Sequence, residues 1–301
     1  MEIEEKLLVV EKMQQYIIAH LDEKITIEML SQAVQYSKWH IQRLFQECMG
    51  MPVFSYIRSL RLSKAALQLR DENIKVIDAA LQAQFSSHDG FTRAFKQQFS
   101  LTPRNYKEGK PAISLFTYYP VTSRIHLQTY QEQEHMQEFF DVTTVAVKRP
   151  ARKLILQRAQ EAVDYWSYCE EKGCEWEGYL NSIAEKFDTA ALVTLPSQLV
   201  APGTAKYAAG VEVPLSFEKT LLDAYEIITL APSTMLYFIS APYEKEEDFC
   251  GAIDAVMQAI EQFSFAEKGY ARRRDMPLFN FGADQAQGAR IAVPVSVIEN
   301  R

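Results

Sequence analysis

The sequence predicts two domains, an all-α one followed by an α+β one. Three observations predict them. A segment of 25 residues recurs at an offset of 50 within the first 110 residues, and each copy reads as two short helices. From Asp141 onward, strand-length apolar stretches and helical ones follow each other in two passes of similar order. Charge divides the same way. Residues 1–110 carry 15 Lys+Arg against 13 Asp+Glu and residues 111–301 carry 17 against 26, so the two parts face different partners.

The 301 residues suit roughly two domains of about 150. With 48% hydrophobic and 24% charged residues, disorder and fibrous repeats are excluded. No apolar run approaches the roughly 18 residues of a membrane span. The start, Met1-Glu2-Ile3-Glu4-Glu5-Lys6, is acidic and unlike a signal peptide. A cytoplasmic protein with no membrane partner is expected, its Cys48, Cys169, Cys174 and Cys250 reduced. Cys169 and Cys174 have no second pair and no nearby His, so no zinc site and no cofactor are expected.

In the repeat, Ile27–Met51 lies over Ile77–Leu101, with identities at Ile27/Ile77, Gln32/Gln82, Ala33/Ala83, Ser37/Ser87, Arg43/Arg93 and Phe45/Phe95. Ile27–Val34 reads as the first helix, Gln35-Tyr36 as a turn, Ser37 as an N-cap, Lys38–Cys48 as the second helix and Gly50 as its stop. Ile41, Leu44, Phe45 and Cys48 form one face of that second helix, and Trp39, Gln42 and Arg43 the other. In the second copy Ser87 is the cap, Phe91, Ala94 and Phe95 face inward, and Asp89, Thr92, Arg93 and Lys96 face outward. A polar outer face is ordinarily just solvated. Trp39 argues for a contact surface instead, because a large aromatic is out of place on a solvated face.

Two helices joined by a short turn match a helix-turn-helix, whose second helix enters the DNA major groove. Arg suits a guanine edge, Gln an adenine edge, and Asp89 could accept from cytosine. Pro52 starts a connecting helix, Val53–Arg70, with Phe54, Ile57, Leu60, Leu62, Ala65, Ala66 and Leu69 on a helical pattern. Its length of roughly 27 Å is close to the ~34 Å between successive major grooves. Arg58, Arg61 and Lys64 could reach phosphate or pair with acids; Arg104, Lys107 and Lys110 are better placed for phosphate.

The stretch Tyr36-Ser37-Lys38-Trp39-His40-Ile41-Gln42-Arg43-Leu44-Phe45, with Phe91-Thr92-Arg93-Ala94-Phe95-Lys96-Gln97-Gln98-Phe99 and Leu101-Thr102-Pro103-Arg104-Asn105-Tyr106, resembles the DNA-binding domain of AraC/XylS transcription regulators over about residues 5–108. The first unit is most similar to the MarA and Rob subgroup. The resemblance implies seven helices and monomeric contact with an asymmetric site. It also implies that Trp39, Gln42 and Arg43 face bases in one groove, with His88, Asp89 and Arg93 in the next. Gly90 departs from the pattern and would loosen the second recognition helix by about 1 kcal/mol. Asp89 stands where an uncharged polar residue is common in that subgroup.

Residues 110–138, polar and uneven, read as a linker between a DNA-binding domain over 1–109 and a second domain over 139–301. The first pass of that second domain has strands at Val142–Lys148 and Leu154–Arg158, a helix near Gln160–Lys172, then strands Ala190–Leu195 and Ala208–Val213. The second has Glu226–Leu230, Met235–Ile239, a helix near Glu246–Phe263, then Leu278–Gly282 and Arg290–Val297. Two similar halves imply a pseudo-two-fold repeat of strand-helix-strand-strand with a concavity at the junction. Trp166, Trp176, Tyr179, Tyr207, Tyr237 and Phe281 supply aromatic surface, and Glu212 sits in an apolar strand. Either Glu212 faces water and the aromatics are core, or they form an aromatic cleft with a buried acid that suits a lipophilic ligand, a cation being one candidate.

Gly173-Cys174-Glu175-Trp176-Glu177-Gly178-Tyr179-Leu180-Asn181, with Tyr207-Ala208-Ala209-Gly210-Val211-Glu212-Val213-Pro214, Phe279-Asn280-Phe281-Gly282 and Ala289-Arg290-Ile291-Ala292-Val293-Pro294-Val295, resembles GyrI-like effector-binding domains over about residues 140–298. That resemblance implies small-molecule sensing. Many such domains carry a glutamate in the last strand, where this chain has Arg290. Taken together, the expectation is a non-enzymatic, ligand-responsive regulator that binds double-stranded promoter DNA, RNA polymerase and a small-molecule effector. In the alternatives, the second domain grips a protein, or acts as a weak hydrolase with Glu212 as base and Tyr237 as acid.

Overall fold

Short side-chain caps divide the first part of the chain into seven helices. They are α1 (Ile3–Ala19), α2 (Ile27–Val34), α3 (Lys38–Met49), α4 (Val53–Asp71), α5 (Val76–Gln82), α6 (His88–Phe99) and α7 (Pro103–Gly109). The computed structural model describes residues 3–121, 141–243, 248–284 and 286–298, in two units, 1–133 and 134–301. No described helix is long and apolar enough to cross a membrane. Thr26, Ser37, Ser87 and Thr102 each accept a backbone N–H of the first turn that follows, at Met29, His40, Gly90 and Asn105.

Helix α4 is the spine of this unit. Its N-terminal half gives Tyr56, Ile57 and Leu60 to a core with Met13, Ile17, Leu30, Ile41 and Phe45. Its C-terminal half gives Leu62, Ala66 and Leu69 to a second core with Ala79, Phe91, Phe95 and Tyr106. Nineteen residues make it about 28 Å long.

The two copies of the repeat are not in one register. Gln35 and Gln84 both take the left-handed conformation, φ 59° and 60°, and so end α2 and α5 at an offset of 49. The caps Ser37 and Ser87 stand at an offset of 50. The second turn therefore holds one more residue. At the smaller offset buried Leu30 and Val34 match buried Ala79 and Ala83, whereas Ile77, matched to Ile27 in the sequence comparison, is exposed.

Residues 111–121 lie within the stretch expected to be a linker, yet they form an extended strap packed on the helices. Ile113 and Leu115 enter the second core and Val121 the first. The Ser63 hydroxyl accepts the Phe116 N–H at 2.7 Å. The Gln14 amide donates to Tyr119 O at 2.9 Å and accepts the Val121 N–H at 2.8 Å. The rest of the expected linker, 122–138, lies outside the described residues.

In the second unit the strands are β1 (Val142–Arg149), β2 (Arg152–Arg158), β3 (Ala191–Thr194), β4 (Tyr207–Pro214), β5 (Glu226–Leu230), β6 (Ser233–Ser240), β7 (Tyr270–Arg272), β8 (Leu278–Asp284) and β9 (Gly288–Val297). All pair antiparallel in one sheet of order β1-β6-β9-β8-β3-β4-β2-β5, with β7 beside β9. Helices α8 (Tyr165–Lys172), α9 (Trp176–Asn181) and α10 (Phe249–Gln262) complete it. The sequence reading lacked α9 and β7. It also started α8 at Gln160, but Asp164 and Ser167 form a capping box that begins the helix at Tyr165. The expected start of α10 at Glu246 lies outside the described residues.

Pairing register sorts the side chains by face. Val256 and Ile260 of α10 pack with Leu236, Phe238, Ile291 and Val293 on one face. Tyr237, Phe279, Leu154 and Ala208 lie on the other, together with Glu212 two pairs further along β4. Gly210 separates Ala208 from Glu212 on that face. A Cβ there would stand 3.0 Å from Leu154 Cδ1 and 3.1 Å from Val193 Cγ2.

Candidate functional site

The first recognition helix candidate is α3. Left-handed Gln35 turns the chain after α2, and the Ser31 hydroxyl donates to Tyr36 O at 2.5 Å. Ser37 then caps α3, and Ile41, Leu44 and Phe45 turn inward. Trp39, Gln42 and Arg43 point to solvent, Trp39 at 68% exposure. The Arg43 guanidinium lies 5.1 Å from the Trp39 ring centroid, and its Nε sits 3.1 Å from Glu47. The two contacts hold the arginine extended along the helix face.

Beside these residues is a shallow recess of about 380 Å³, lined by Trp39, Gln42, Arg43 and Gln46 of α3 and by Pro52, Val53 and Phe54. Gln46 and Phe54 were missed as surface candidates. Gln46 follows Gln42 by one turn, a signal present in the sequence. Phe54 falls on the helical pattern of inward residues, but it is 40% exposed.

The second candidate is α6. Here His88, Asp89, Arg93 and Lys96 are exposed, and His88 Nδ1 lies 3.6 Å from the Asp89 carboxylate. Thr92 behaves otherwise: its Oγ1 is buried and has no hydrogen-bond partner. The Gly90 N–H donates to the Ser87 hydroxyl at 3.1 Å, and a Cβ on Gly90 would stand 3.0 Å from that oxygen. Glycine at this position seats the cap, and α6 runs unbroken from His88 to Phe99.

The connecting cations are mostly committed. Arg61 donates to Leu21 O at 2.9 Å and to Glu23 O, and Lys64 pairs with Asp22 at 2.6 Å. Lys107 and Lys110, expected near phosphate, donate to the carbonyls of Asn73 and Arg70. Arg104 is 83% exposed, with Glu108 at 3.0 Å.

In the second unit the six expected ligand residues divide into two groups. Trp166 and Trp176 pack edge-on with Tyr165, and Trp176 also with Tyr168. Tyr168 donates its hydroxyl to Gln157 O and so belongs to the helix-bearing side. Tyr179 stacks on Tyr225 at 4.5 Å and accepts the Leu222 N–H. Glu212, Tyr237 and Phe281 gather on the opposite face.

Glu212 does not meet water. It is 5% exposed, bonded to the fully buried Arg152 and 3.5 Å from Arg149 Nε. Burial pushes its carboxyl up, against the pull of Arg152 and Arg149. Arg152 also donates to Pro150 O, Ala231 O and the Ser233 hydroxyl. Arg149 donates to the Tyr237 hydroxyl at 2.7 Å, which itself donates to Asp188 at 2.9 Å. Arg290 pairs with Asp188 at 3.2 Å and lies over Phe281. Burial raises the Tyr237 phenol. Three guanidiniums thus face two carboxylates, and the acid expected to receive a cation is already matched.

Comparison with known proteins bears on the first unit. A family described as "Helix-turn-helix domain" matches residues 30–109. The transcriptional regulator Rob of Salmonella typhimurium is 46% identical over 88 residues, 29% of this chain and 30% of that one. The chain therefore spans less than a third of the length of this relative. The HTH-type transcriptional activator AarP of Providencia stuartii is 37% identical over 92 residues, 31% of this chain and 68% of AarP. A crystal structure of a probable AraC family transcriptional regulator from Rhodopseudomonas palustris aligns with 34% of this chain and 96% of its own, at 28% identity and a TM-score of 0.33. With two capped helix-turn-helix units in its first 109 residues, the chain belongs to the AraC family of helix-turn-helix proteins.

Proposed function

We propose that the chain is a sequence-specific DNA-binding transcription regulator of the AraC and Rob type. One observation carries this reading. Two serine-capped helices, α3 and α6, each present an arginine, Arg43 and Arg93, at the same helical position on an exposed polar face. Helix α4 packs beneath both, at a length that suits adjacent grooves. Trp39, Gln42 and Arg43 read one groove. His88, Asp89 and Arg93 read the next, with Lys96 and Arg104 at the flanking backbone. RNA polymerase is the expected protein partner.

The second unit, 139–301, is read as a GyrI-like effector domain. Its sheet order supports a doubled unit: β2-β4-β3 and β6-β9-β8 are the same three-strand arrangement, each with a helix after its first strand, meeting at β3 and β8. A small-molecule effector bound there would shift the affinity of the first unit for DNA by binding its two states unequally.

The test is selection of DNA from a random pool by the full chain and by Arg43→Ala, followed by mobility shift. The expected site is asymmetric and spans two adjacent major grooves, and the variant loses discrimination in one groove by about 1–3 kcal/mol. No enriched sequence, or unchanged binding by Arg43→Ala, would overturn the reading.

A further inference from the structure

The region 111–301 is strongly acidic, 17 Lys+Arg against 26 Asp+Glu, yet one face of its sheet gathers three arginines around two acids. Buried charge networks cost desolvation and are poor stabilisers, so such a cluster calls for another reason. Arg152 and Glu212 account for each other. Arg152 is wholly buried, and its remaining donors go to loop carbonyls and Ser233. That leaves Arg149 and Arg290, both partly open to solvent, with Asp188 between them.

We propose that Arg149, Arg290 and Tyr237 form a carboxylate-binding site that Asp188 fills from within, and that its ligand is a planar aromatic carboxylate. The proposal rests on the effector-domain reading above and names the ligand class for it. The three donors stand at the end of β1, on β9 and on β6, fixed by sheet pairing. The acceptor comes from a loop. Asp188 precedes β3 and reaches in to take the Tyr237 hydroxyl at 2.9 Å and Arg290 Nη1 at 3.2 Å, with Arg149 Nη2 at 3.6 Å. Fixed donors and a loop-borne acceptor suit exchange with a carboxylate from outside, since the released aspartate regains water.

The floor of the site fits an aromatic body. Phe281 lies nearly parallel to Tyr237 and to Phe279, at 15° and 16°. Arg290 stacks 4.9 Å over Phe281, and Arg149 lies 5.6 Å from Phe187 and 5.9 Å from Tyr237. A cation would instead meet two guanidiniums at short range.

The test is calorimetric titration of the full chain with benzoate, its neutral analogue benzamide and the cation benzylammonium. Benzoate is expected to bind, and the other two are not. Asp188→Asn removes the internal competitor's charge and should tighten benzoate about tenfold. Arg290→Gln should weaken it by at least about tenfold. If Arg290→Gln fails to fold, the direction of change in Asp188→Asn decides alone. Benzoate binding that is unchanged or weaker in Asp188→Asn overturns the proposal, as does no binding to either protein. Binding of benzylammonium in place of benzoate also overturns it, while leaving an effector domain standing. DNA selection is scored independently, so failure there would not be mistaken for failure here.

Discussion

Gln14 and Val121 stand 107 positions apart in the chain, and the buried Gln14 carbonyl accepts the Val121 N–H at 2.8 Å. The same amide donates to the Tyr56 hydroxyl and to Tyr119 O, so every strong hydrogen-bonding direction of one glutamine ties α1, α4 and the strap. Gln14→Leu leaves the Val121 N–H without this acceptor inside a core. Its expected cost is about 1–3 kcal/mol, read as a lower urea midpoint for the first unit. A midpoint equal to wild type would show that the strap is held by its apolar contacts alone.

The cap of α6 predicts an unusual glycine substitution. Alanine gains about 1 kcal/mol over glycine in an exposed helix. At Gly90, however, the new Cβ would crowd the Ser87 hydroxyl at 3.0 Å. Gly90→Ala should therefore raise stability by less than that figure, and Ser87→Ala/Gly90→Ala should recover the propensity gain relative to Ser87→Ala. Chemical denaturation of the four proteins separates the two effects, and a full gain in the single variant would show the cap yielding freely.

The pair Arg152 and Glu212 predicts strong non-additivity. Glu212→Leu strands Arg152 in a fully buried site and is expected to cost about 3–5 kcal/mol. Arg152→Met/Glu212→Leu should cost clearly less than the two single changes combined. Additive losses in denaturant titrations would refute a closed ion pair.

Glu171 predicts a pH effect. Burial opposes its charge, but the N–H groups of Glu161 and Gln160 and the Lys172 ammonium hold its carboxyl down at about 2. A folded-state value below the unfolded one contributes stability above the ordinary carboxylate range, lost as pH falls toward 2. Wild type should therefore exceed Glu171→Gln at neutral pH, and the gap should narrow on acidification from about 4.5. A gap independent of pH would exclude the carboxylate as its source.

Much of this was legible in the sequence because local rules dominate there. Ser37 and Ser87 announce their helices by capping, and the alternation in β4 marks Glu212 as facing away from Val211 and Val213. The extra residue in the second turn was hidden, because chance identities such as Ile27/Ile77 favoured a constant offset over the burial pattern. The strap was hidden because Ile113, Leu115 and Val121 are too few and too spaced to read as an element; their partners, Gln14 and Ser63, lie far back in the chain. The matching of Glu212 was hidden for the same reason. Arg149 and Arg152 precede it by about 60 residues, and only sheet register brings them to its side.

The way the strap closes the first unit also sets an order of events during synthesis. Helices α1 to α7 form from neighbouring residues, the kind of contact that assembles fast. Yet the buried amide of Gln14 waits for Tyr119 and Val121, twelve residues beyond the end of α7. A nascent chain halted at residue 109 would carry both recognition helices over an unfinished core, and some 12 further residues would have to clear the ribosome before that core shuts. The second unit has no such early stage. Its first strand, β1, pairs with β6, more than 80 residues later, so its sheet assembles only after most of it has been made.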